Sequence, residues 1–235
     1  MRVKATGLAV LSASALLLTT ACGSGAASDD KAAARASHPS STPATALQRA
    51  ALAQGDVPGY QVSAGTTSRS RTRPRADRRP CQPLADVMGD RPDPRARETV
   101  DRGLGSQRRL GLAVTATLST YARPDAEKLV DDLRAAVAAC PGFTADLGAT
   151  ASTYARVKAR PYRIGGDESV SWSASSTQVG VETPVHVVVV RQGATVVRFM
   201  TLNLGAPSRG GAQEPVEVPR DVADRQVEKV RRVLG

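Results

Sequence analysis

Aromatic side chains are scarce in this 235-residue chain, with one Trp, four Tyr and two Phe. Platforms for stacking nucleic-acid bases are correspondingly few, so nucleic acid is not an expected partner. Histidine is scarcer still: His38 lies near the N-terminus and His186 in a valine-rich run. Two separated histidines and three cysteines supply no metal-ligand spacing, so neither a metal centre nor a cofactor is expected. Residues 44–235 contain no Gly-x-Ser-x-Gly, Ser-x-x-Lys or His-Glu-x-x-His pattern, and no Gly-x-x-x-x-Gly-Lys opens a helix. Without a nucleophile, base and orienter in sight, the chain is not expected to be an enzyme. Lysine is also short, 5 against 27 Arg, and long apolar runs are missing. The apolar stretch at 6–20 falls below the roughly 20 residues that span a bilayer, and no second run follows.

What is present begins at that stretch. Arg2 and Lys4 precede it, and small residues then lead into Leu18-Thr19-Thr20-Ala21-Cys22-Gly23-Ser24. The arrangement resembles a bacterial lipoprotein signal, departing from it at Thr19, where such signals most often carry Leu. The resemblance implies a signal peptide over 1–21, cleavage before Cys22, and a diacylglycerol on that cysteine as an extracytoplasmic membrane anchor. Residues 24–43 are Ala, Ser, Thr and Pro with scattered charge, so 22–43 is expected to be a lipidated cysteine followed by a disordered tether. A flexible coil of that length spans on the order of 25 Å. Residues 44–235 suffice for one domain with a core.

The net charge is +10, and the arginines cluster. Arg69, Arg71, Arg73, Arg75, Arg78 and Arg79 fall in an aperiodic, proline-containing stretch at 68–80, read as a loop. Such a loop is a candidate contact for polyanions, which outside a cell means anionic lipid headgroups or wall polymers. Cys22 is assigned to the lipid, which leaves Cys81 and Cys140 as an even pair in an exported chain. A disulfide between them is expected to contribute on the order of 4 kcal/mol.

Periodicity locates most of the elements. A short helix follows Thr42-Pro43-Ala44 with Leu47, Ala50 and Ala51 in phase, and Tyr60-Gln61-Val62 begins a strand after the Asp56-Val57-Pro58-Gly59 turn. Residues 81–88 read as a helix with Leu84, Val87 and Met88 on one face. Leu112, Val114, Ala116 and Leu118 alternate with Thr115, Thr117 and Ser119 as a half-buried strand. A helix starts at Arg123-Pro124-Asp125, buries Ala126, Leu129, Val130, Leu133 and Val137, and stops at Pro141-Gly142. Residues 169–175 alternate Val170, Trp172 and Ala174 against serines, and 178–182 is a further strand candidate broken from the next by Pro184. The runs 185–191 and 194–204 flank a Gln192-Gly193 hairpin, with Val187 to Val190 covered on both faces. A final helix runs over 220–234. Consecutive strands with helices at the flanks specify an α+β domain built on an antiparallel sheet. Gly103-Leu104-Gly105 and Gly165-Gly166-Asp167-Glu168 lack the context of a phosphate or metal loop, and Asp167 and Glu168 are read as a turn leading into the Trp172 strand.

Several of these segments together resemble a family. Asp56-Val57-Pro58-Gly59-Tyr60 after a helix, Cys81-Gln82-Pro83-Leu84, Ala138-Ala139-Cys140-Pro141-Gly142-Phe143, Gly166-Asp167-Glu168-Ser169 and the valine hairpin are similar to actinobacterial secreted lipoproteins. They resemble in turn the extracellular sensor domain of bacterial transmembrane serine/threonine protein kinases, over residues 44–235. The resemblance implies a twisted antiparallel sheet with helices, a disulfide, and a cleft for an unidentified envelope ligand. The chain departs from that family in having one cysteine pair and no kinase domain. Tyr154 and Trp172 are the side chains expected to line such a pocket, with Asp167 and Glu168 at its lip. The competing expectation is an interaction lipoprotein that docks on a protein or an anionic polymer through the 68–80 loop.

Overall fold

The computed structural model describes residues 43–65, 72–91, 93–146, 148, 150–178, 180–203 and 216–235. The signal-like segment, Cys22, the tether before Pro43, and Arg69 and Arg71 lie outside the described residues. Helix α1 (Ala46–Ala50) is short, and Thr45 caps it: its hydroxyl accepts from the Gln48 amide while the Gln48 side chain accepts from the Thr45 amide. Nine strands follow with three further helices: β1 (Tyr60–Ala64), β2 (Arg75–Ala76), α2 (Gln82–Met88), β3 (Glu98–Ser106), β4 (Leu112–Thr120), α3 (Arg123–Ala139), β5 (Phe143–Asp146), β6 (Ala151–Ala159), β7 (Glu168–Gln178), β8 (Val181–Gln192), β9 (Thr195–Asn203) and α4 (Arg220–Leu234). All nine strands form one antiparallel sheet in the order β1-β3-β4-β9-β8-β7-β6-β5-β2. The α+β expectation stands.

The two faces of the sheet are covered diagonally. Helices α1 and α4 lie over the β1-β3-β4-β9-β8 half of one face, burying Val114, Ala116, Leu118, Val188, Val190, Val197 and Phe199 against Leu47, Val222 and Val230. On the opposite face, α2 and α3 cover the β5-to-β8 half, burying Trp172, Ala174, Val185, Val187 and Val189 against Leu84 and Leu133. The four valines Val187 to Val190 are at most 1 % exposed because β8 runs through both cores. The Cys81–Cys140 disulfide joins the start of α2 to the end of α3, with Cα atoms 5.7 Å apart.

Some sequence expectations are corrected. The described end of the 68–80 loop is not irregular throughout: Arg75–Ala76 pairs with β5, and a 3₁₀ turn covers Arg79–Cys81. In α2, Ala85 is buried and Val87 is only partly so, a short helix having room for one stripe. Gly103 and Gly105, given no element by the sequence, sit inside β3 opposite Thr115 and Ala113. The 178–182 segment is not a separate strand: Gln178 ends β7 and pairs with Val181, which begins β8, and Pro184 lies within β8. Pairing with β9 begins only at Val185, so Pro184 has a strand neighbour on the β7 side alone, opposite Ser175.

Candidate functional site

Among the described residues, the diagonal cover leaves β3 and β4 bare of helix on the α2/α3 face, with β9 at its border, and the chain path supplies a wall there. The chain leaves β1 at one edge of the sheet, makes β2 at the other, and returns through α2 and residues 89–97 to begin β3 beside β1. The return segment and the sheet flank a cleft with a cavity volume of about 70 Å³. Its floor is the outward row of the alternating strands: Thr99 and Asp101 of β3, Thr117 and Ser119 of β4, and Arg198 of β9. A neighbouring hollow shares Asp90, Asp101, Thr117 and Arg198 and extends the floor to Thr115 and Gly103.

Arg198 organises this floor. One amino group donates to the Val87 carbonyl and to the Gly89 carbonyl (3.1 Å), holding the negative end of α2 against the sheet. The other donates to Thr117 Oγ1 at 2.8 Å, and the Thr117 hydroxyl donates to Asp101 Oδ1 at 2.7 Å. Burial lowers the pKa of the guanidinium, with Asp101 and Asp90 pulling the other way. Its Nε–H is nevertheless buried without an acceptor, and buried Thr115 Oγ1 also lacks a hydrogen-bond partner. Folded proteins rarely leave such groups unsatisfied unless water or a ligand completes them.

The rim carries carboxylates that are already paired. Asp86 takes a two-point contact from Arg73 (2.9 and 2.6 Å), and Asp93 one from Arg95 (3.1 and 2.7 Å). Burial alone would raise the Asp93 pKa, but its hydrogen bonds from Arg95 hold it below the ordinary value. Tyr121, at the inner end, is pushed up to about 12 by burial first and by Asp93 second, so it is a phenol at physiological pH. Among the described residues no group of three or more His, Cys, Asp or Glu is placed to hold a metal ion.

The sequence-selected residues lie elsewhere. Trp172 is 1 % exposed in the core beneath α3, and the Tyr154 ring stacks on Phe143 at 4.9 Å between centroids. Asp167 and Glu168 are brought together around the buried Arg191. Asp167 Oδ2 accepts from Arg191 at 2.9 Å and from the Gly193 amide at 2.8 Å, and Glu168 Oε1 accepts from Arg191 at 2.9 and 2.7 Å. The Arg191 bonds, ahead of the opposing burial, lower the Glu168 pKa. That cluster ties the β8–β9 hairpin to the start of β7, and none of the four residues lines the cleft. In the arginine-rich stretch, Arg73 is bound to Asp86, and Arg78 donates to the Gly142 carbonyl. His186 is a packed strand residue whose Nδ1 accepts from the Val218 amide at 3.0 Å. The cleft residues missed in the sequence had one signal: Arg198 is a lone cation inside the Val-Val-Arg-Phe-Met run of an inner strand.

The architecture defines a class, a single-sheet α+β domain with half-covered faces and one disulfide. No protein-family model and no curated protein matches the chain. Among solved structures it is similar to the crystal structure of the extracellular domain of PknH from Mycobacterium tuberculosis. The TM-score is 0.50 at 12 % identity, over 82 % of this chain and 97 % of that one. It is also similar to a putative uncharacterized protein, the Rv0999 ortholog from Mycobacterium smegmatis, with a TM-score of 0.40 at 12 % identity over 75 % and 90 % of the two chains. At this identity the PknH likeness is one of fold.

Proposed function

We propose that the chain is a non-enzymatic, sensor-like binding module of an actinobacterial cell envelope, held on the extracytoplasmic side of the membrane by a lipid on Cys22, with the β3–β4–β9 cleft as its ligand site. The observation that carries the binding reading is the pair of unsatisfied polar groups, Arg198 Nε and Thr115 Oγ1, on one cleft floor. A ligand with an acceptor for the guanidinium and a donor or acceptor for the hydroxyl completes both. The internal disulfide supports an oxidising compartment. The fold shared with a domain described as extracellular agrees with that placement.

Native mass spectrometry of the exported protein tests the reading. An extra mass that disappears on denaturation, and is absent from Arg198→Met, is the expected outcome. A bare mass for the wild-type protein from its own envelope overturns the ligand site.

A further inference from the structure

The second bare quarter of the sheet lies diagonally opposite the cleft, on the α1/α4 face over β5, β6 and β7. Alternation puts Ser171, Ser173 and Ser175 on this face, opposite in phase to the buried Trp172 and Ala174. Lys158 of β6 pairs with Ser173, and the Arg160 amide bonds to the Ser171 carbonyl, so both side chains share the serine face. A bulge between Ala155 and Lys158 inserts Arg156, whose φ of +54° is a conformation that L residues disfavour. The insertion lays its guanidinium over Ser175 and Glu182. Arg160 Nε donates to Ser173 Oγ at 3.1 Å. The serines are only 4 to 9 % exposed because the arginine stems cover them, while Arg156, Lys158 and Arg160 are themselves exposed. Three cations thus stand on β6 and the residue that follows it over a layer of hydroxyls, Arg156 being paired with Glu182 and held by a backbone conformation that L residues disfavour.

A flat cationic plate suits an extended anionic surface better than a small molecule, which needs a concavity. The upstream chain joins the domain through α1, which packs on this same face. We infer that the Arg156–Lys158–Arg160 face docks on an anionic phospholipid bilayer, leaving the α2/α3 face and its cleft turned away from the membrane. The inference concerns a different face from the proposed ligand site, and its test does not require the ligand.

The test uses the full chain produced without lipid modification, with vesicles of phosphatidylcholine alone or mixed with phosphatidylglycerol. The apolar stretch at 6–20 is common to every variant. The wild-type chain is expected to bind the phosphatidylglycerol vesicles preferentially, and less so as salt rises. Lys158→Glu, which leaves the arginine–serine bonds in place, is expected to weaken that binding about tenfold. Lys128→Glu makes the same charge change on α3, on the other face, and is expected to bind as wild type. Lys158→Gln gives a smaller loss in the same direction, and an intact thermal transition shows that each variant is folded. Equal losses at 158 and 128 would trace the effect to net charge. Binding indifferent to phosphatidylglycerol would trace it to the apolar stretch, and binding of soluble polyphosphate without vesicle binding to a polymer. Any of these three overturns the proposal.

Discussion

At the scale of single residues, buried polar atoms decide more than exposed charges. His186 is 1 % exposed, and its Nδ1 is committed as an acceptor to the Val218 amide, so the folded protein holds the neutral ring. Burial lowers its pKa from 6.5 to about 4, with Glu217 opposing the shift. Protonation therefore favours the unfolded chain: the contribution is whole above pH 6.5 and is lost as pH falls toward 4. The urea-unfolding free energy is expected to be about 2 kcal/mol lower at about pH 5 than at about pH 7. In His186→Leu this difference should be mostly gone, although the variant is less stable at neutral pH for want of the Val218 contact. A wild-type curve flat across that window would refute the assignment. Gly166 is a second such point. Its φ is +117°, and a Cβ there would stand 2.5 Å from Val190 Cγ1 and 3.0 Å from the Arg191 carbonyl. Gly166→Ala is expected to cost about 2–4 kcal/mol in thermal or denaturant melts.

At the scale of elements, the short pieces depend on side chains from distant ones. Five-residue α1 cannot stand alone, and Gln226 of α4 holds its end. The fully buried amide donates to the Ala50 carbonyl at 2.8 Å and accepts from the Leu52 amide at 2.9 Å. Gln226→Leu keeps the volume but strands both backbone groups, and an equilibrium melt should register a loss of about 2–4 kcal/mol. The disulfide does the same for α2: Cys81→Ala with Cys140→Ala is expected to lose about 4 kcal/mol and to loosen the cleft wall, visible as faster amide exchange over 82–94. These dependences also mark what the sequence could tell. Strand β4 and helices α3 and α4 were legible because each buries one face in period, and the β8–β9 hairpin because a continuous valine run, buried on both faces, leads into Gln192-Gly193. Strand β3 was not, because Gly103 and Gly105 occupy positions where the sheet needs no side chain, leaving Val100 and Leu104 as the apolar signal. Strands β5 and β6 were hidden by Thr, Ser, Lys and Arg and by the bulge that breaks their alternation. The cleft was illegible for a related reason. Thr115, Thr117 and Ser119 read as the solvent side of β4, and only the returning α2 segment, which no local pattern announces, turns that side into a floor.

At the scale of the whole molecule, the seam of the sheet lies between β4 and β9, where Leu112 pairs with Asn203 and Thr120 with Thr195. Strands β1, β3 and β4 belong to the first half of the chain, whereas β5 to β9 belong to the second. The α1/α4 core closes only when Val222, Ala223, Val227 and Val230 of the last helix arrive. A chain ending before α4 is expected to lose its cooperative thermal transition, with the α1/α4 core exposed to a hydrophobic dye; a sharp melt in that truncation would contradict this topology. Order in time follows from order in space. As the polypeptide grows, its earliest strands can pair with one another but have no inner neighbour, and Arg198, the keystone of the cleft floor, is among the later residues to be made. The cleft is thus a late product of synthesis: until β9 slots in beside β4, its walls stand without a bottom.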